Sequence, residues 1–191
     1  MIRSMRVILR ALLAGVWLFP GAALGAAPPE RTVMGVEIGS RLALPDCGAG
    51  SGTFTSRLCI NASLTSRNAW GADEYQVALP RSGVPVYVRG DLKVTTVQGI
   101  VESVQVGTWG LQSQAGALAA LTAQYGKPTR TREQKKSAHS RFAPRFDEWE
   151  LPDLFVKLDG SSGSIDWGLI EVSTPRYRKL VKDHEARQPA K

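Results

Sequence analysis

Residues 92–128 read LKVTTVQGIVESVQVGTWGLQSQAGALAALTAQYGKP, and this stretch decides the fold. Its first half carries the β-branched residues Val94, Val97, Ile100, Val104 and Val106 on either side of Gln98-Gly99, the pattern of two strands joined by a tight turn. Its second half sets Ala115, Leu118, Leu121 and Tyr125 on one helical stripe, which Gly126 and Pro128 terminate. A β-hairpin feeding one amphipathic helix is therefore expected. Gly116 costs that helix about 1 kcal/mol relative to alanine. Together with Ala115, Ala119 and Ala120 it leaves a small-residue surface that would let the helix lie close on a sheet. This unit is scaffold and carries no chemistry. Trp109, in the strand-to-helix connection, reads first as a lid on the core and second as an exposed recognition residue.

Upstream, Tyr75, Val77 and Leu79 alternate, PRSG breaks the run, and Val84, Val86 and Val88 alternate again, which predicts a second hairpin. Arg89-Gly90-Asp91 spells an adhesion tripeptide, but Gly and Asp favour a tight turn on their own, and a turn between two strands is the expectation. Earlier still, Val33, Gly35, Ile38 and Gly39 point to a short strand and turn. The chain has only two cysteines, Cys47 and Cys59, separated by GAGSGTFTSRL. In an exported chain this pair reads as a disulfide that pins a Gly/Ser-rich loop. A catalytic thiol would want a spare reduced cysteine, and zinc would want more ligands than His139 and His184 can add.

The amino terminus has the three-part form of a secretory signal. Arg3, Arg6 and Arg10 precede an apolar run from Ala11 to Leu24, and Ala23-Leu24-Gly25 supplies small residues for cleavage before Ala26. The apolar run falls short of the roughly 20 residues that span a bilayer, so no transmembrane anchor is expected after cleavage. The formal charge of +7 includes the three leader arginines, which leaves +4 for the rest of the chain. That is mildly basic and argues against nucleic acid as a partner. The expected organisation is a cleaved leader at 1–25, a flexible lead-in at 26–32, one domain at 33–173 and a C-terminal helix with a frayed tail at 174–191. The protein is expected in the periplasm or outside the cell.

After Pro128 the character changes. Between Lys127 and Arg145 seven lysines and arginines face a single acid, Glu133. Lys127, Arg130, Arg132, Lys135, Lys136 and Arg141 are candidate binding residues, with a solvated loop or polar edge strand as the plainer reading. Sheet then resumes at Phe146 to Leu151 and Phe155 to Leu158. Asp159 to Gly163 reads as a turn, and Ser164 to Ser173 as a strand with Ile165, Trp167, Leu169 and Glu171 on one face and Gly168 as a candidate bulge. Thr174-Pro175 is a good helix start, and Tyr177, Leu180, Val181 and His184 align on one side of the helix that follows.

No G-x-S-x-G elbow, H-E-x-x-H, P-loop or G-x-G-x-x-G is present, and no cofactor or metal site is expected. Paired carboxylates are the remaining catalytic kit. Asp147, Glu148 and Glu150 flank Trp149, with Asp166 and Glu171 on the next strand, and two acids suffice for glycan cleavage. The order hairpin, helix ending in Tyr125-Gly126-Lys127-Pro128, then a Trp-bearing strand resembles small uncharacterised secreted, periplasmic proteins of Gram-negative bacteria. That resemblance implies no functional residues.

These features lead to an α+β expectation: an antiparallel sheet of about six strands packed on one main helix, with a C-terminal helix docked at the sheet edge or projecting from it. The functional expectation is a non-enzymatic binding protein, inhibitor-, immunity- or envelope-accessory-like. Its partner would be another envelope or secreted protein or an anionic envelope polymer. The alternative is a cell-envelope glycan hydrolase.

Overall fold

A computed structural model describes residues 30–48, 54–135 and 142–187. The proposed leader at 1–25, the interior of the cysteine loop at 49–53, the basic-run residues Lys136 and Arg141 with His139, and the tail at 188–191 lie outside the described residues. Within them the chain is α+β, mostly antiparallel sheet with two helices.

The hairpin at the centre of the sequence forms as expected. Strand β6 (Val88–Val97) turns into β7 (Ile100–Thr108) through Gln98 and Gly99, whose φ values of 56° and 77° match the left-handed pair that a two-residue hairpin turn requires. Before it come β4 (Cys59–Arg67) and β5 (Asp73–Pro80), so β4, β5, β6 and β7 form one antiparallel meander. The second half repeats the plan with β8 (Arg130–Glu133), β9 (Arg145–Glu150), β10 (Phe155–Ser164) and β11 (Trp167–Ser173). The meanders join where β11 pairs antiparallel with β7, giving the order β4-β5-β6-β7-β11-β10-β9-β8. A short strand β3 (Phe54–Thr55) runs parallel beside the end of β5 and brings this sheet to nine strands rather than about six. A separate hairpin of β1 (Thr32–Val33) and β2 (Val36–Glu37) precedes it.

Three local expectations are corrected. The two hairpins expected around Arg89-Gly90-Asp91 are one continuous meander: the tripeptide lies inside β6, where the register to β7 shifts between Val88 and Leu92, and Val84 and Val86 belong to the preceding loop. Strand β10 runs on to Ser164, so the turn falls at Ile165-Asp166 and not at Asp159 to Gly163. The irregularity expected at Gly168 lies opposite it, on β10 between Asp159 and Ser164, and Gly168 itself is in regular register with β7. It pairs with Thr108, and an added Cβ would collide with the Thr108 side chain, so glycine here serves close strand packing.

One face of the sheet is the core. Leu92 and Val94, Val104 and Val106, Ile170 and Val172, Val156 and Leu158, and Trp149 occupy it on consecutive strands. Helix α1 (Gln114–Tyr125) covers this face with Ala117, Leu121 and Tyr125, while Ala115 is exposed, so the buried stripe is rotated from the one expected. Alanine at 115, 117, 119 and 120 gives nearly equal sides and blurs the periodicity. Trp149 donates from Nε1 to the carbonyl of Gly126 at 2.8 Å, fastening the end of α1 to β9.

Helix α2 (Pro175–Glu185) presents the expected stripe but packs toward the opposite face of the sheet, with Arg178 over Phe155 and a cavity between it and Lys157 and Glu171, and not at the edge. Tyr177 is buried against the Trp70 ring at 5.5 Å, and burial pushes its phenol above the ordinary range. Arg178 stacks on Phe155 at 3.4 Å. The helix start is clamped by Thr174, which caps the Tyr177 amide and donates its hydroxyl to the buried carboxylate of Glu102, a group that also receives Arg176 at 3.0 Å. Among the described residues no helix is long and apolar enough to cross a membrane.

Cys47 and Cys59 are joined, with Cα atoms 4.9 Å apart. The bond ties the loop to the start of β4. Closing a ring of this size is worth about 2–3 kcal/mol by chain entropy. Replacing both cysteines by serine should therefore lower the thermal midpoint by roughly 4–10 °C in a calorimetric scan. An unchanged midpoint would show that the ring contributes nothing.

Candidate binding face

The face opposite α1 is polar, and strand register makes it continuous. Asn61 pairs with Gln76, Gln76 with Lys93, Lys93 with Gln105 and Gln105 with Glu171; Glu171 then pairs with Lys157, Lys157 with Glu148 and Glu148 with Arg130. This row crosses eight strands with charges that alternate from Lys93 onward. Its members engage one another: Gln105 Nε2 donates to Glu171 at 3.1 Å, and Arg130 lies 3.9 Å from Glu148. Opposite charges on adjacent strands each add a fraction of a kcal/mol. Helix α2 covers the neighbouring row and shares a cavity with this one from Gln105 to Glu148.

On the far side of the row from α2 stands an aromatic cluster. The Arg89 guanidinium is held between the Trp109 ring at 4.8 Å and the Trp167 ring at 5.1 Å, and its Nη1 donates to the Asp166 carbonyl at 2.9 Å. No carboxylate pairs with Arg89 among the described residues. Trp109 is 41% exposed, so it is a surface residue and not the core lid that was the first expectation. Trp167 is 39% exposed, with Ile165 at 56% and Val86 at 94%. Val86, Tyr87 and Trp109 border a cavity of about 390 Å³ against Gly116 at the start of α1. Trp167 can lie down on the sheet because residue 107 is glycine: a Cβ there would sit 3.0 Å from its Cζ2 and Cη2 atoms.

Between the cluster and the polar row lies a groove of about 360 Å³, lined by Ser66, Glu74, Gln76, Asp91, Lys93 and Trp167 among others. Gln76 Nε2 donates to Asp91 Oδ2 at 3.0 Å, whereas Asp91 Oδ1 receives no hydrogen bond from the protein. Burial raises the Asp91 carboxyl above the ordinary carboxylate range, with the Gln76 hydrogen bond opposing. Lys93 closes on Glu74 at 2.8 Å. A second cavity of about 410 Å³ separates the sheet from α2, with Glu148, Lys157, Glu171 and Arg178 in its wall.

The other sequence-chosen residues are scattered. Strand β8 is the sheet edge and is exposed throughout. Arg130 reaches Glu148 and Glu150, and Arg132 stacks on Phe146 at 4.5 Å. Lys127 and Lys135 are exposed. The acids divide as strand period requires, Glu148 and Glu150 on the polar face and Asp147 on the core face. Asp147 is fully buried and receives Arg145 at 2.6 Å and Thr131 at 2.5 Å. Asp166 lies at the β10–β11 turn, away from Glu171 in the row.

Arg89, Asp91, Gln76 and Trp167 were not among the candidates. Their signal was available only as alternation: on β11 the β-branched residues Ile170 and Val172 mark the core side, which turns Trp167 outward. Among the described residues no group of three or more His, Cys, Asp or Glu could hold a metal. Comparison with protein families, curated proteins and solved structures finds no match.

Proposed function

We propose that the chain is a non-enzymatic binding protein of the periplasm or extracellular space, inhibitor-, immunity- or envelope-accessory-like, that holds a macromolecular partner against the aromatic end of its polar face. One observation carries this reading. Of the five large hydrophobic side chains exposed among the described residues, Val86, Trp109, Ile165 and Trp167 gather at one end of the sheet around a guanidinium with no carboxylate partner. Such clusters of tryptophan and arginine dominate the energetics of macromolecular interfaces. An extracytoplasmic location is supported by the signal-like leader and the disulfide. Binding is favoured over hydrolysis because Asp147 is locked in an ion pair on the wrong face and Glu148 and Glu171 are engaged within the polar row.

Trp109→Ala combined with Val86→Ser should reduce co-sedimentation with an isolated Gram-negative envelope fraction by at least tenfold, with the unfolding midpoint unchanged. Lys127→Glu with Lys135→Glu should change it less than twofold. Undiminished co-sedimentation of the first variant would refute the aromatic end as the contact surface.

A further inference from the structure

We propose that the open side of the Arg89 guanidinium is a carboxylate subsite, so that the partner held by the aromatic end is a protein presenting an acidic residue beside an apolar one. The inference rests on the reading of this end as a binding surface, and it names the chemistry of what is bound.

Arg89 is positioned before any partner arrives. Its guanidinium lies over the Trp109 ring at 4.8 Å and the Trp167 ring at 5.1 Å, and Nη1 donates to the Asp166 carbonyl at 2.9 Å. The segments that carry these groups are tied through their backbones: the Trp109 amide donates to the Tyr87 carbonyl at 3.3 Å, and the Leu111 amide to the Ile165 carbonyl at 2.9 Å. A side chain held this way loses little freedom on binding. Arg89 is half-buried, and Nε and Nη2 meet no protein acceptor among the described residues. Neither nitrogen is buried without a partner, so both reach solvent. Together they form one side of the guanidinium, where two parallel N–H bonds match the two oxygens of a carboxylate.

The surroundings select the source of the anion. Val86, Trp109, Ile165 and Trp167 form an apolar collar that keeps water from a pair formed at Arg89, which strengthens the pair. Two acids lie close along the chain. Asp91 is committed to Gln76 at 3.0 Å, and Asp166 is exposed, with no ion pair among the described residues. With them the cluster carries no excess of positive charge. An anionic lipid surface or a phosphate dianion draws on several cations together, whereas one guanidinium side suits one carboxylate. The cavity of about 390 Å³ shares Val86 and Trp109 with the collar and has room for an apolar side chain next to the acid. Tryptophan and arginine are also the residues most enriched at the energetic centres of protein–protein interfaces.

The test is NMR titration of the full chain with a capped heptapeptide that sets a glutamate between two leucines, and with its glutamine counterpart. The glutamate peptide should bind saturably and shift the indole N–H resonances of Trp109 and Trp167 and the Nε–H resonance of Arg89. The glutamine peptide should bind at least tenfold more weakly, a comparison that leaves the protein unaltered. Arg89→Lys keeps the charge and loses the paired donors, and should weaken the glutamate peptide at least fivefold; Arg89→Gln should do so at least tenfold. Asp166→Asn removes the exposed acid and should tighten binding about twofold. Unfolding midpoints check each variant, and if an Arg89 variant fails to fold, the two peptides on the parent chain decide. Equal binding of both peptides overturns the inference, as does binding of neither at 10 mM or glutamate-peptide binding untouched by Arg89→Gln. So does inorganic phosphate binding more tightly than the peptide at the same resonances, or Arg89-dependent binding to phosphatidylglycerol vesicles, which would define a phosphate site or a membrane contact. If envelope co-sedimentation still depends on Trp109 and Val86 while neither peptide binds, only the carboxylate assignment falls. If the glutamate peptide binds through Arg89 but co-sedimentation ignores Trp109 and Val86, the aromatic-end reading falls alone.

Discussion

Trp149→Ala is expected to remove about 3–5 kcal/mol of stability, measured as a drop in the urea midpoint with the slope of the transition preserved. Trp149 is the largest fully buried side chain among the described residues, so truncation leaves a cavity between β9 and α1 that the surrounding sheet cannot fill. It also removes the donor to the Gly126 carbonyl, which then lacks that partner at the end of α1. Trp149→Phe keeps most of the volume and loses the hydrogen bond, and should cost about 1–2 kcal/mol. If alanine costs no more than phenylalanine, α1 collapses onto the gap and the indole is not what holds the helix in place.

The second large effect is expected two strand pairs from the aromatic cluster, at Arg145. Its guanidinium lies 2.6 Å from Asp147 and 3.0 Å from Glu133, joining β9 to the edge strand β8. Arg145→Ala leaves the fully buried Asp147 carboxylate with Thr131 as its remaining donor. Stripping one partner from a buried pair costs about 3–5 kcal/mol. Arg145 keeps 28% of its side chain in water, which places the expected loss near the low end, about 3 kcal/mol. Arg145→Met with Asp147→Leu should recover most of the loss, because two apolar residues need no compensation. A single variant within about 1 kcal/mol of the parent, by chemical unfolding, would show that Asp147 finds water instead.

These residues mark where sequence reading stopped. Arg145 closes the basic run, and charge density alone suggested a docking surface. Which of those cations are free depends on what the adjacent strand places opposite them: Glu148 for Arg130, Phe146 for Arg132 and Glu133 for Arg145. That pairing is tertiary and leaves no local trace. The β6–β7 hairpin was legible because β-branched alternation and a Gln-Gly turn agree. The disulfide was legible because two cysteines have one pairing. Strand β4 was missed because CINASLTSR has hardly any apolar alternation and is held by its neighbour β5. Of the aromatic cluster and groove, only Trp109 is a binding candidate on sequence grounds. The groove depends on β5, β6 and β11 reaching one face, and β11 arrives from the far half of the chain.

That late arrival bears on how the protein acquires its shape. Each four-strand meander can zip from its own turns with small loops to close, whereas β7 and β11 meet across some sixty residues and α1. The sheet then has two early-forming wings and a slow median seam. The groove draws Asp91 and Lys93 from one wing and Trp167 from the other, so it comes into being only when the seam closes. A chain with either wing folded alone would hold half of each surface, and binding competence would report completion of the whole sheet.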